Sequence, residues 1–457
     1  SQGEQDSRFY GAFAMVPCLE PRNQQEAYDM AGEAFELSEQ FHVPVLIRMV
    51  TRLSHARSSI KRGPQKQQKG RAKTDNKAGW MLLPAFARRN YAALIEKQKA
   101  LEAWSEEHAV KNLELSVGAG PEGGSFALIT AGLGGNYYEE NLPDLIVRLG
   151  FAPPRLHIES YPLPLESIRR LCGAVPGGTA PGEALLKGRA GEILVIEEGQ
   201  PFIEERLRGI LPQGVRIRGR LGPDPALPRT GELDPDSVRA ALGLPPAKSI
   251  LDTLKRPLPG LPGRPPQLCV GCPHADSYEA IKRAAAELEK PGGMESARVS
   301  VNSDIGCYSL GALPPYSAIE SIVCMGASIG MARGASDAGI PYAFAVIGDS
   351  TFYHSGITGL IDAAQANTPL TIIILDNSTV AMTGCQPAIV PSVKLRDLVL
   401  GCGVEPAHYA ELDAKKQNLE ENVLKLKGEA AYRGLSVVVF RRECLEAARK
   451  RRKAGAP

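Results

Sequence analysis

The 457-residue sequence predicts an α/β protein made of several domains, each built on a parallel sheet with helices on both faces. At roughly 100–200 residues per domain, the length indicates two to four domains. Short apolar runs typical of buried parallel strands alternate with segments whose apolar residues recur at helical spacing. The 47 glycines and 36 prolines supply turns between such elements.

Composition excludes several classes of protein. With 43% hydrophobic and 23% charged residues, the chain can bury a sizeable core and is not predicted to be disordered. The 53 basic and 51 acidic residues give a net charge of +2, which does not favour nucleic acid as a partner. The sequence contains no run of 18 apolar residues, so no membrane span is predicted, and its first residues lack the pattern of a signal peptide. Nine cysteines without a disulfide framework predict a cytoplasmic protein.

The first 112 residues carry an α/β pattern followed by a polar connector. Residues 24–41 have a helical apolar stripe, and the apolar run 43–50 is typical of a buried parallel strand. Residues 61–73 are basic without a core pattern, and residues 86–112 are predicted to form a long polar helix. A solvated connector explains the basic stretch better than a nucleic-acid-binding arm does. The stripe comprises Ala27, Met30, Ala34, Phe35 and Leu37.

A second α/β unit begins near residue 126. The apolar strand 126–130 ends in the glycine-rich turn AGLGGN (131–136), and a further strand is predicted at 192–198. Such a turn can cradle a phosphate, but close packing of helix on strand is the interpretation we favour. The Pro-rich segment 255–266 is predicted to be a semi-rigid linker.

The third unit, from about residue 267, contains one strand–helix–strand cassette. The apolar strand 343–347 runs into Gly348-Asp349-Ser350, and the apolar strand 370–375 runs into Asp376-Asn377. This pattern predicts one βαβ unit, in which the two strands are parallel and the crossover is right-handed. If they are neighbours, about 4.8 Å apart, Asp349 and Asn377 lie side by side at the edge where open α/β sheets bind ligands.

The side chains at this edge suit a metal–phosphate site. A carboxylate, an amide oxygen and a backbone carbonyl are the hard ligands that Mg²⁺ prefers. A helix predicted to start near Ser355 would direct its N-terminal N–H groups at the same anion. Gly-Asp at the end of a strand can be turn chemistry alone, but Asn377, 28 residues after Asp349, makes that interpretation much weaker.

The cassette resembles the thiamine-diphosphate motif, usually Gly-Asp-Gly followed at similar spacing by Asn-Asn. Ser350 and Asp376 depart from it, yet the metal-binding positions are retained. The surrounding sequence is similar to the large (alpha) subunit of indolepyruvate ferredoxin oxidoreductase. The similar segments are LCVGCPHADSYEAIKRA (268–284), SDIGCYSLGALPPY (303–316), CMGASIG (324–330), GDSTFYHSGITGLIDA (348–363) and LDNSTVAMTGCQ (375–386). Residues 1–11 and 45–57 resemble that family's pyrimidine-binding domain, and residues 193–207 its transketolase C-terminal-like domain.

The resemblance implies doubly wound domains of the thiamine-diphosphate-binding, transketolase-like type. The domains it implies are the C-terminal part of a pyrimidine-binding domain (1–62), a connector (63–112), a transketolase C-terminal-like domain (113–244), a Pro-rich linker (245–266) and a diphosphate-binding domain (267–457).

The resemblance also implies an activity. Family members decarboxylate aryl 2-oxo acids with thiamine diphosphate, pass two electrons to ferredoxin and release an arylacetyl-CoA. A smaller beta subunit, ferredoxin, CoA and the 2-oxo acid are the implied partners, and an oligomer is expected. By similarity, Asp349, Asn377 and Thr379 hold Mg²⁺, and Ile329 supports the bent cofactor. The residues implied to bind the cofactor are Gly306, Cys307, Gly326, Ser328, Ile329, Gly348, Asp349, Ser350, Asn377 and Thr379.

Cysteines and histidines are further candidates. Cys269, Cys272 and Cys307 match cysteines that ligate a [4Fe–4S] cluster in related pyruvate:ferredoxin oxidoreductases, but a fourth ligand is not evident. A zinc site that includes His274 is an alternative. We favour a third interpretation, a tight loop packed against the cofactor. His274 and His354 are the predicted catalytic histidines, for contact with substrate or diphosphate.

Two departures from the family leave other functions open. No segment of residues 1–60 matches the glutamate that activates the aminopyrimidine ring, and Glu4 is not expected to replace it. The paired Cys-rich runs of a C-terminal ferredoxin-like domain are also absent from the sequence. The alternatives are therefore a non-oxidative thiamine-dependent 2-oxo acid decarboxylase, or an inactive fragment that acts as a cofactor-binding partner.

Overall fold

A computed structural model of the chain describes residues 5–64, 75–115, 126–173, 191–211, 215–247, 265–289, 298–389 and 394–453. The chain divides into two compact units, Gly3–Leu258 and Pro259–Pro457. Most of the predicted Pro-rich linker and most of the basic stretch 61–73 lie outside the described residues. The finer domain boundaries stay predictions.

The first unit contains eight helices and eight strands among its described residues. The helices are α1 (Arg8–Ala14), α2 (Gln24–Phe41), α3 (Thr51–His55), α4 (Pro84–Lys111), α5 (Leu133–Leu149), α6 (Leu165–Gly173), α7 (Phe202–Ile210) and α8 (Pro235–Ala241). The strands are β1 (Cys18–Leu19), β2 (Leu46–Ile47), β3 (Leu113–Glu114), β4 (Phe126–Ala131), β5 (Arg155–Ile158), β6 (Ser160–Tyr161), β7 (Glu192–Ile196) and β8 (Arg216–Arg218).

These strands form two sheets. A small sheet has the order β2-β1-β6, with β1 parallel to β2 and antiparallel to β6. The larger sheet has the order β3-β5-β4-β7-β8 and is parallel except at β3. Its alternating side chains enter two cores, with α6 and α7 packed on one face and α5 and α8 on the other. The larger sheet is therefore doubly wound, as predicted.

The second unit has one large parallel sheet. Its helices are α9 (Pro273–Leu288), α10 (Ala327–Asp337), α11 (Asp349–Thr351), α12 (Ile357–Gln365), α13 (Leu395–Gly401), α14 (Leu419–Ala431) and α15 (Leu445–Lys453). Its strands are β9 (Val299–Ser303), β10 (Ser321–Ile322), β11 (Tyr342–Gly348), β12 (Leu370–Asp376), β13 (Thr379–Val380), β14 (Gln386–Pro387), β15 (Tyr409–Asp413) and β16 (Leu435–Arg441). The sheet order is β10-β9-β11-β12-β16-β15, and β13 and β14 form a separate hairpin.

Both faces of this sheet are covered because its central strands are apolar on both sides. Alternate residues of β11, β12 and β16 pack on α10, α12 and α13, while the others pack on α9 and α14. This arrangement confirms the predicted doubly wound fold. Strand order changes direction at β9 and β11, and ligands of such folds bind beyond the carboxyl ends of the strands.

Two details of the sequence prediction were wrong. The apolar run 43–50 contributes only the two-residue strand β2, whose side chains are half-buried. Phe35 was assigned to the buried stripe of α2 but is 78% exposed, whereas Met30, Ala34 and Leu37 are buried. Among the described residues, no helix is both long and apolar enough to cross a membrane.

Candidate active site

The predicted cassette forms one edge of the large parallel sheet. Strands β11 and β12 are hydrogen-bonded neighbours, parallel, with Gly348 opposite Leu375. Asp349 follows β11 directly and Asn377 follows β12 directly. The expectation that these two residues emerge at the same edge is therefore confirmed, and it follows from two continuous apolar strands of equal length.

Asp349 is buried with one carboxylate oxygen unsatisfied. Its Oδ1 accepts a hydrogen bond from the backbone N–H of Ser350 at 2.7 Å. Its Oδ2 is buried and has no hydrogen-bond donor among the described residues. Burial, reinforced by repulsion from the neighbouring Asp376 carboxylate, raises the pKa of Asp349. A buried acceptor next to a second carboxylate is the arrangement that a divalent cation satisfies, so the donor set fits Mg²⁺.

Asn377 is held in place by His274 and Thr379. The Asn377 Oδ1 accepts a hydrogen bond from the Thr379 backbone N–H at 3.1 Å, and its Nδ2 lies 3.1 Å from His274 Nε2. His274 is buried in the first turn of α9, and burial lowers its pKa to about 4. The neutral ring can therefore accept a hydrogen bond from the Asn377 Nδ2, so the nitrogen of the amide points to His274 and its oxygen faces the edge of the sheet. The structure thus brings Asn377, Thr379 and His274 together.

Tyr308 was missed by the sequence analysis. Its hydroxyl donates toward the Ile305 carbonyl at 3.2 Å and lies 3.1 Å from Thr351 Oγ1. A Cβ placed on Gly348 or on Gly306 would lie 2.4 Å from the Tyr308 ring. Glycine at both positions therefore lets the ring pack against the end of β11. The only sequence signal was that Tyr308 follows the Gly306-Cys307 pair.

The helix of the cassette begins earlier than predicted. It starts at Asp349 rather than near Ser355, passes through a π-helical turn at Phe352–Gly356, and continues as α12. The π turn contains His354, whose Nδ1 lies 2.5 Å from Ser355 Oγ in an exposed position. Single π turns recur at functional sites, but no described contact joins His354 to Asp349 or Asn377. Its assignment as a catalytic histidine stays a prediction.

Helix α10 has its N-terminus capped by a buried aspartate. Asp304 Oδ1 accepts the Ser328 N–H at 2.7 Å, and its Oδ2 accepts the Ser328 hydroxyl at 3.1 Å. Gly326, the N-cap residue before this helix, has φ +87°, and a Cβ there would lie 2.5 Å from Ser355 Cβ. Both donors of Ser328 are therefore engaged by Asp304, a role that the sequence analysis did not assign.

Ile329 lies in the hydrophobic core. It is 1% exposed and packs beneath Gly356 and Gly359, where an added Cβ would lie 3.5 Å and 3.2 Å from its side chain. Its contacts in this structure are with α12 and the sheet. Its support of the bent cofactor stays a prediction.

Five cysteines of the second unit act on one another electrostatically. The pKa of Cys307 is raised to about 11, mainly by burial and to a smaller extent by the neighbouring thiols of Cys272, Cys444, Cys269 and Cys385. Among the described residues, however, no group of three or more His, Cys, Asp or Glu side chains is arranged to hold a metal ion. The cluster assignment therefore stays a prediction, and we derive no chemistry through it.

Asp376 connects the site to the strands beyond it. Arg441, its register partner on β16, donates from Nε to Asp376 Oδ2 at 3.1 Å and pairs with Glu411 on β15 at 2.8 Å. The backbone N–H of Ser378 also donates to Asp376, at 3.1 Å. This chain of ion pairs anchors the ends of three neighbouring strands.

Two family models match the chain. Residues 304–414 match the C-terminal thiamine-pyrophosphate-binding domain of thiamine pyrophosphate enzymes. Residues 6–116 match the thiamine-diphosphate-binding domain of pyruvate flavodoxin/ferredoxin oxidoreductases. The first match spans Asp349, Asn377 and Thr379, and the second includes α4, part of the predicted connector.

Curated relatives extend the similarity over nearly the whole chain. The indolepyruvate oxidoreductase subunit IorA of Methanothermobacter marburgensis is 33% identical over 97% of this chain and 69% of the relative. The chain belongs to the IorA family. The IorA of Methanothermobacter thermautotrophicus is 32% identical, and the match covers 97% of this chain and 69% of that relative. The IorA of Archaeoglobus fulgidus is also 32% identical, and the match covers 97% of this chain and 68% of that relative. A solved 2-oxoglutarate:ferredoxin oxidoreductase from Magnetococcus marinus covers 41% of this chain and 70% of its own, at 20% identity and a TM-score of 0.33.

Membership in the IorA family assigns the chemical class. The chain is a thiamine-diphosphate-dependent 2-oxo acid:ferredoxin oxidoreductase, and thiamine diphosphate is its cofactor.

Proposed function

We propose that this IorA-family chain supplies the thiamine diphosphate and Mg²⁺ site for oxidative decarboxylation of aryl 2-oxo acids of the indolepyruvate type. The products are an arylacetyl-CoA, CO₂ and reduced ferredoxin, and a smaller beta subunit completes the enzyme. The names of the relatives support indolepyruvate as the substrate. When bound, thiamine diphosphate supplies a nucleophilic carbon and an electron sink for decarboxylation.

The observation that carries the metal assignment is the unsatisfied Oδ2 of Asp349. A buried carboxylate oxygen without a donor among the described residues is costly, and it persists where a ligand provides what the protein does not. Asp349 Oδ2, Asn377 Oδ1 and the Thr379 carbonyl are the proposed ligands. Their elements meet at the carboxyl edge of the sheet, where a cation can also bind diphosphate oxygens.

His274 acts as a positioning residue in this proposal. Its neutral Nε2 accepts the Asn377 Nδ2 proton, so the amide oxygen is available to the metal. A direct catalytic contact with substrate is the alternative predicted from sequence. His274→Gln, which can still accept this hydrogen bond, should retain more Mg²⁺-dependent cofactor binding than His274→Ala.

Calorimetric titration with thiamine diphosphate, with and without Mg²⁺, tests the proposal. The wild-type chain should bind the cofactor only when Mg²⁺ is present, and Asp349→Asn should abolish this Mg²⁺-dependent binding. Asp337→Asn, an exposed aspartate at the end of α10, is the matched control and should bind as wild type does. Equal binding by wild type and Asp349→Asn would contradict the metal assignment.

Turnover assays separate the oxidative function from its alternatives. With the beta subunit, ferredoxin and CoA present, indolepyruvate should give arylacetyl-CoA and reduced ferredoxin. Release of CO₂ and aldehyde without an electron acceptor would favour the non-oxidative decarboxylase instead. Cofactor binding without either turnover would favour a cofactor-binding partner.

The iron–sulfur prediction is tested independently of turnover. Iron and sulfide analysis of anaerobically purified protein gives the cluster content per chain. Cys272→Ser should lower that content if Cys269, Cys272 and Cys307 hold a cluster, and Cys402→Ser, outside this group of thiols, is the control. Iron-free protein that binds cofactor normally would support the packed-loop interpretation.

A further inference from the structure

Tyr353 has a buried hydroxyl group that the described residues leave unsatisfied. The side chain is 8% exposed and belongs to the core that packs on β11 and β12. Its hydroxyl oxygen is buried and has no hydrogen-bond partner among the described residues. A buried hydroxyl without a partner costs free energy, and phenylalanine would provide the same ring without that cost. The hydroxyl therefore calls for an explanation other than packing.

Tyr308 offers a comparison at the same edge of the sheet. Its hydroxyl has two partners, the Ile305 carbonyl oxygen at 3.2 Å and Thr351 Oγ1 at 3.1 Å. Local structure is enough to explain a tyrosine at that position. At Tyr353 the described residues supply no such partner, so a bound group is the remaining source of one.

The cassette helix directs Tyr353 toward the candidate site. This helix begins at Asp349, and Tyr353 follows four residues later, about one turn on, so the two side chains share a face. Long side chains on a helix lean toward its N-terminus, which here lies at the carboxyl edge of the sheet. Tyr353 also belongs to the π turn Phe352–Gly356, and single π turns recur at functional sites.

The charges that act on the Tyr353 hydroxyl are those of the candidate site. They come, in order of strength, from the carboxylates of Asp376 and Asp349 and from the Arg441 guanidinium. Burial, followed by the two carboxylates, raises the pKa of Tyr353 to about 12, so the hydroxyl keeps its proton at neutral pH. Asp349 Oδ2 is likewise buried without a partner among the described residues. Because both atoms lack a partner, they are not hydrogen-bonded to each other, and one hydrated ligand could satisfy both.

A hydrated divalent cation has the chemistry that these two atoms require. Mg²⁺ takes carboxylate oxygens directly and usually keeps several of its water molecules. A water molecule on a cation is a strong hydrogen-bond donor, and a neutral tyrosine oxygen can accept from it. Groups that hold the direct ligands of a metal in place commonly change its affinity by about 10–100-fold.

We propose that Tyr353 is a positioning residue of the cation site, whose hydroxyl accepts a hydrogen bond from a water molecule bound to Mg²⁺. This role rests on the proposed function, because it requires the cation at Asp349. It adds a contact through water to the three direct ligands proposed above. Its effect is on the affinity for the metal, and it needs no contact between Tyr353 and the substrate.

Titration of the full chain with Mn²⁺ tests this role without turnover. Mn²⁺ suits the same oxygen ligands as Mg²⁺, and the electron paramagnetic resonance signal of the free ion measures binding at saturating thiamine diphosphate, against a titration without protein. Tyr353→Phe should raise the dissociation constant of Mn²⁺ about tenfold or more. The metal-free variant should melt at or above the Tm of wild type, because the unsatisfied hydroxyl is gone. Tyr432→Phe, just before the amino end of β16 and so at the opposite edge of the sheet, is the control that should leave the Mn²⁺ constant unchanged.

Three results would overturn the role of Tyr353 while leaving the metal site intact. A Tyr353→Phe variant with the Mn²⁺ affinity of wild type would show that the hydroxyl does not act on the cation. The same affinity with a lower metal-free Tm would assign the hydroxyl to the stability of the core. Weaker binding of thiamine diphosphate at unchanged Mn²⁺ affinity would assign it to the cofactor.

Failure of the proposed function gives a different result. If wild type binds no Mn²⁺, or if Asp349→Asn binds it as tightly as wild type does, the metal assignment itself is wrong, and the role of Tyr353 is overturned with it. Tight Mn²⁺ binding by wild type that is lost in Asp349→Asn and weakened in Tyr353→Phe supports both.

Discussion

Asp349→Asn should stabilise the metal-free chain while removing its metal-dependent binding. In the wild-type structure, Asp349 Oδ2 is buried without a donor among the described residues and lies close to the Asp376 carboxylate. An asparagine of the same shape replaces a carboxyl group whose charged form is disfavoured by burial and by Asp376 with an amide whose N–H can donate to Asp376. The substitution therefore relieves a local defect, which is the behaviour expected where function has been favoured over stability.

The size of the gain follows from the defect that is removed. Leaving a buried acceptor unsatisfied costs about 1–3 kcal/mol, so the metal-free variant should gain a stability increment of that order. For a unit of 150–250 residues, about 1 kcal/mol corresponds to about 2–4 °C in Tm. The second unit, Pro259–Pro457, falls in this size range, so its unfolding should shift upward by several degrees.

Differential scanning calorimetry under two conditions gives the complete comparison. With a chelator and no cofactor, Asp349→Asn should melt above wild type. With Mg²⁺ and thiamine diphosphate at about 100 times the dissociation constant, wild type should gain about 2.7 kcal/mol and the variant almost none. Asp337→Asn should follow wild type in both conditions, because its carboxylate is largely exposed.

The opposite order would refute this reasoning. If the metal-free variant melts at or below wild type, the Asp349 carboxylate is not under strain in the apo chain. If the variant keeps the Mg²⁺-dependent gain, the cation binds elsewhere. Only the reversal of rank between the two conditions supports a metal site at this edge of the sheet.

Two further predictions concern the first unit. Gly134→Ala places a Cβ 2.5 Å from the Ile196 carbonyl oxygen and should lower the unfolding free energy by about 1–3 kcal/mol. Gly209→Ala is the control, because an added Cβ there has nothing within 4 Å, and it should be neutral or stabilising by up to ~1 kcal/mol. Denaturant titration of both variants measures these changes. A Gly134→Ala variant with the unfolding free energy of wild type would contradict close packing at the AGLGGN turn. His157 is buried beside Thr130, and burial lowers its pKa to about 3 from 6.5. The unfolded chain therefore takes up a proton at this residue as pH falls below 6.5 while the folded chain does not, so the unfolding free energy should decrease by up to about 1.4 kcal/mol per pH unit down to about pH 3. His157→Gln should flatten that slope, and an unchanged slope would exclude His157 as its source.

The large sheets were predictable because their strands are buried on both faces. Strands β11 and β12 appear in the sequence as continuous apolar runs, and their adjacency follows from the short crossover between them. The shared edge of Asp349 and Asn377 therefore follows from the sequence pattern alone. Phe35 shows the limit of the same method: it lies beside the apolar stripe of α2, and periodicity alone does not say where a buried face ends.

The details of the site could not be predicted, because they depend on tertiary contacts. The π turn at Phe352–Gly356 shifts the helix register without a distinctive sequence signal. Tyr308 packs on Gly348, 40 residues away in sequence, and neither residue alone indicates the contact. Likewise, Cys444 was not recognised as a neighbour of Cys307, because the two cysteines are distant in the chain.

The departure at Asp376 makes the site more dependent on its metal. An asparagine at this position, as in the usual motif, would carry no charge toward Asp349. The aspartate found here is anchored by Arg441 from the next strand and by the Ser378 N–H, so its carboxylate is fixed in place beside Asp349. Two carboxylates that are fixed close together repel each other, and a divalent cation removes that repulsion more effectively than it would at a single carboxylate. The substitution that weakens the match to the motif is therefore expected to strengthen the binding of a divalent cation at this edge of the sheet.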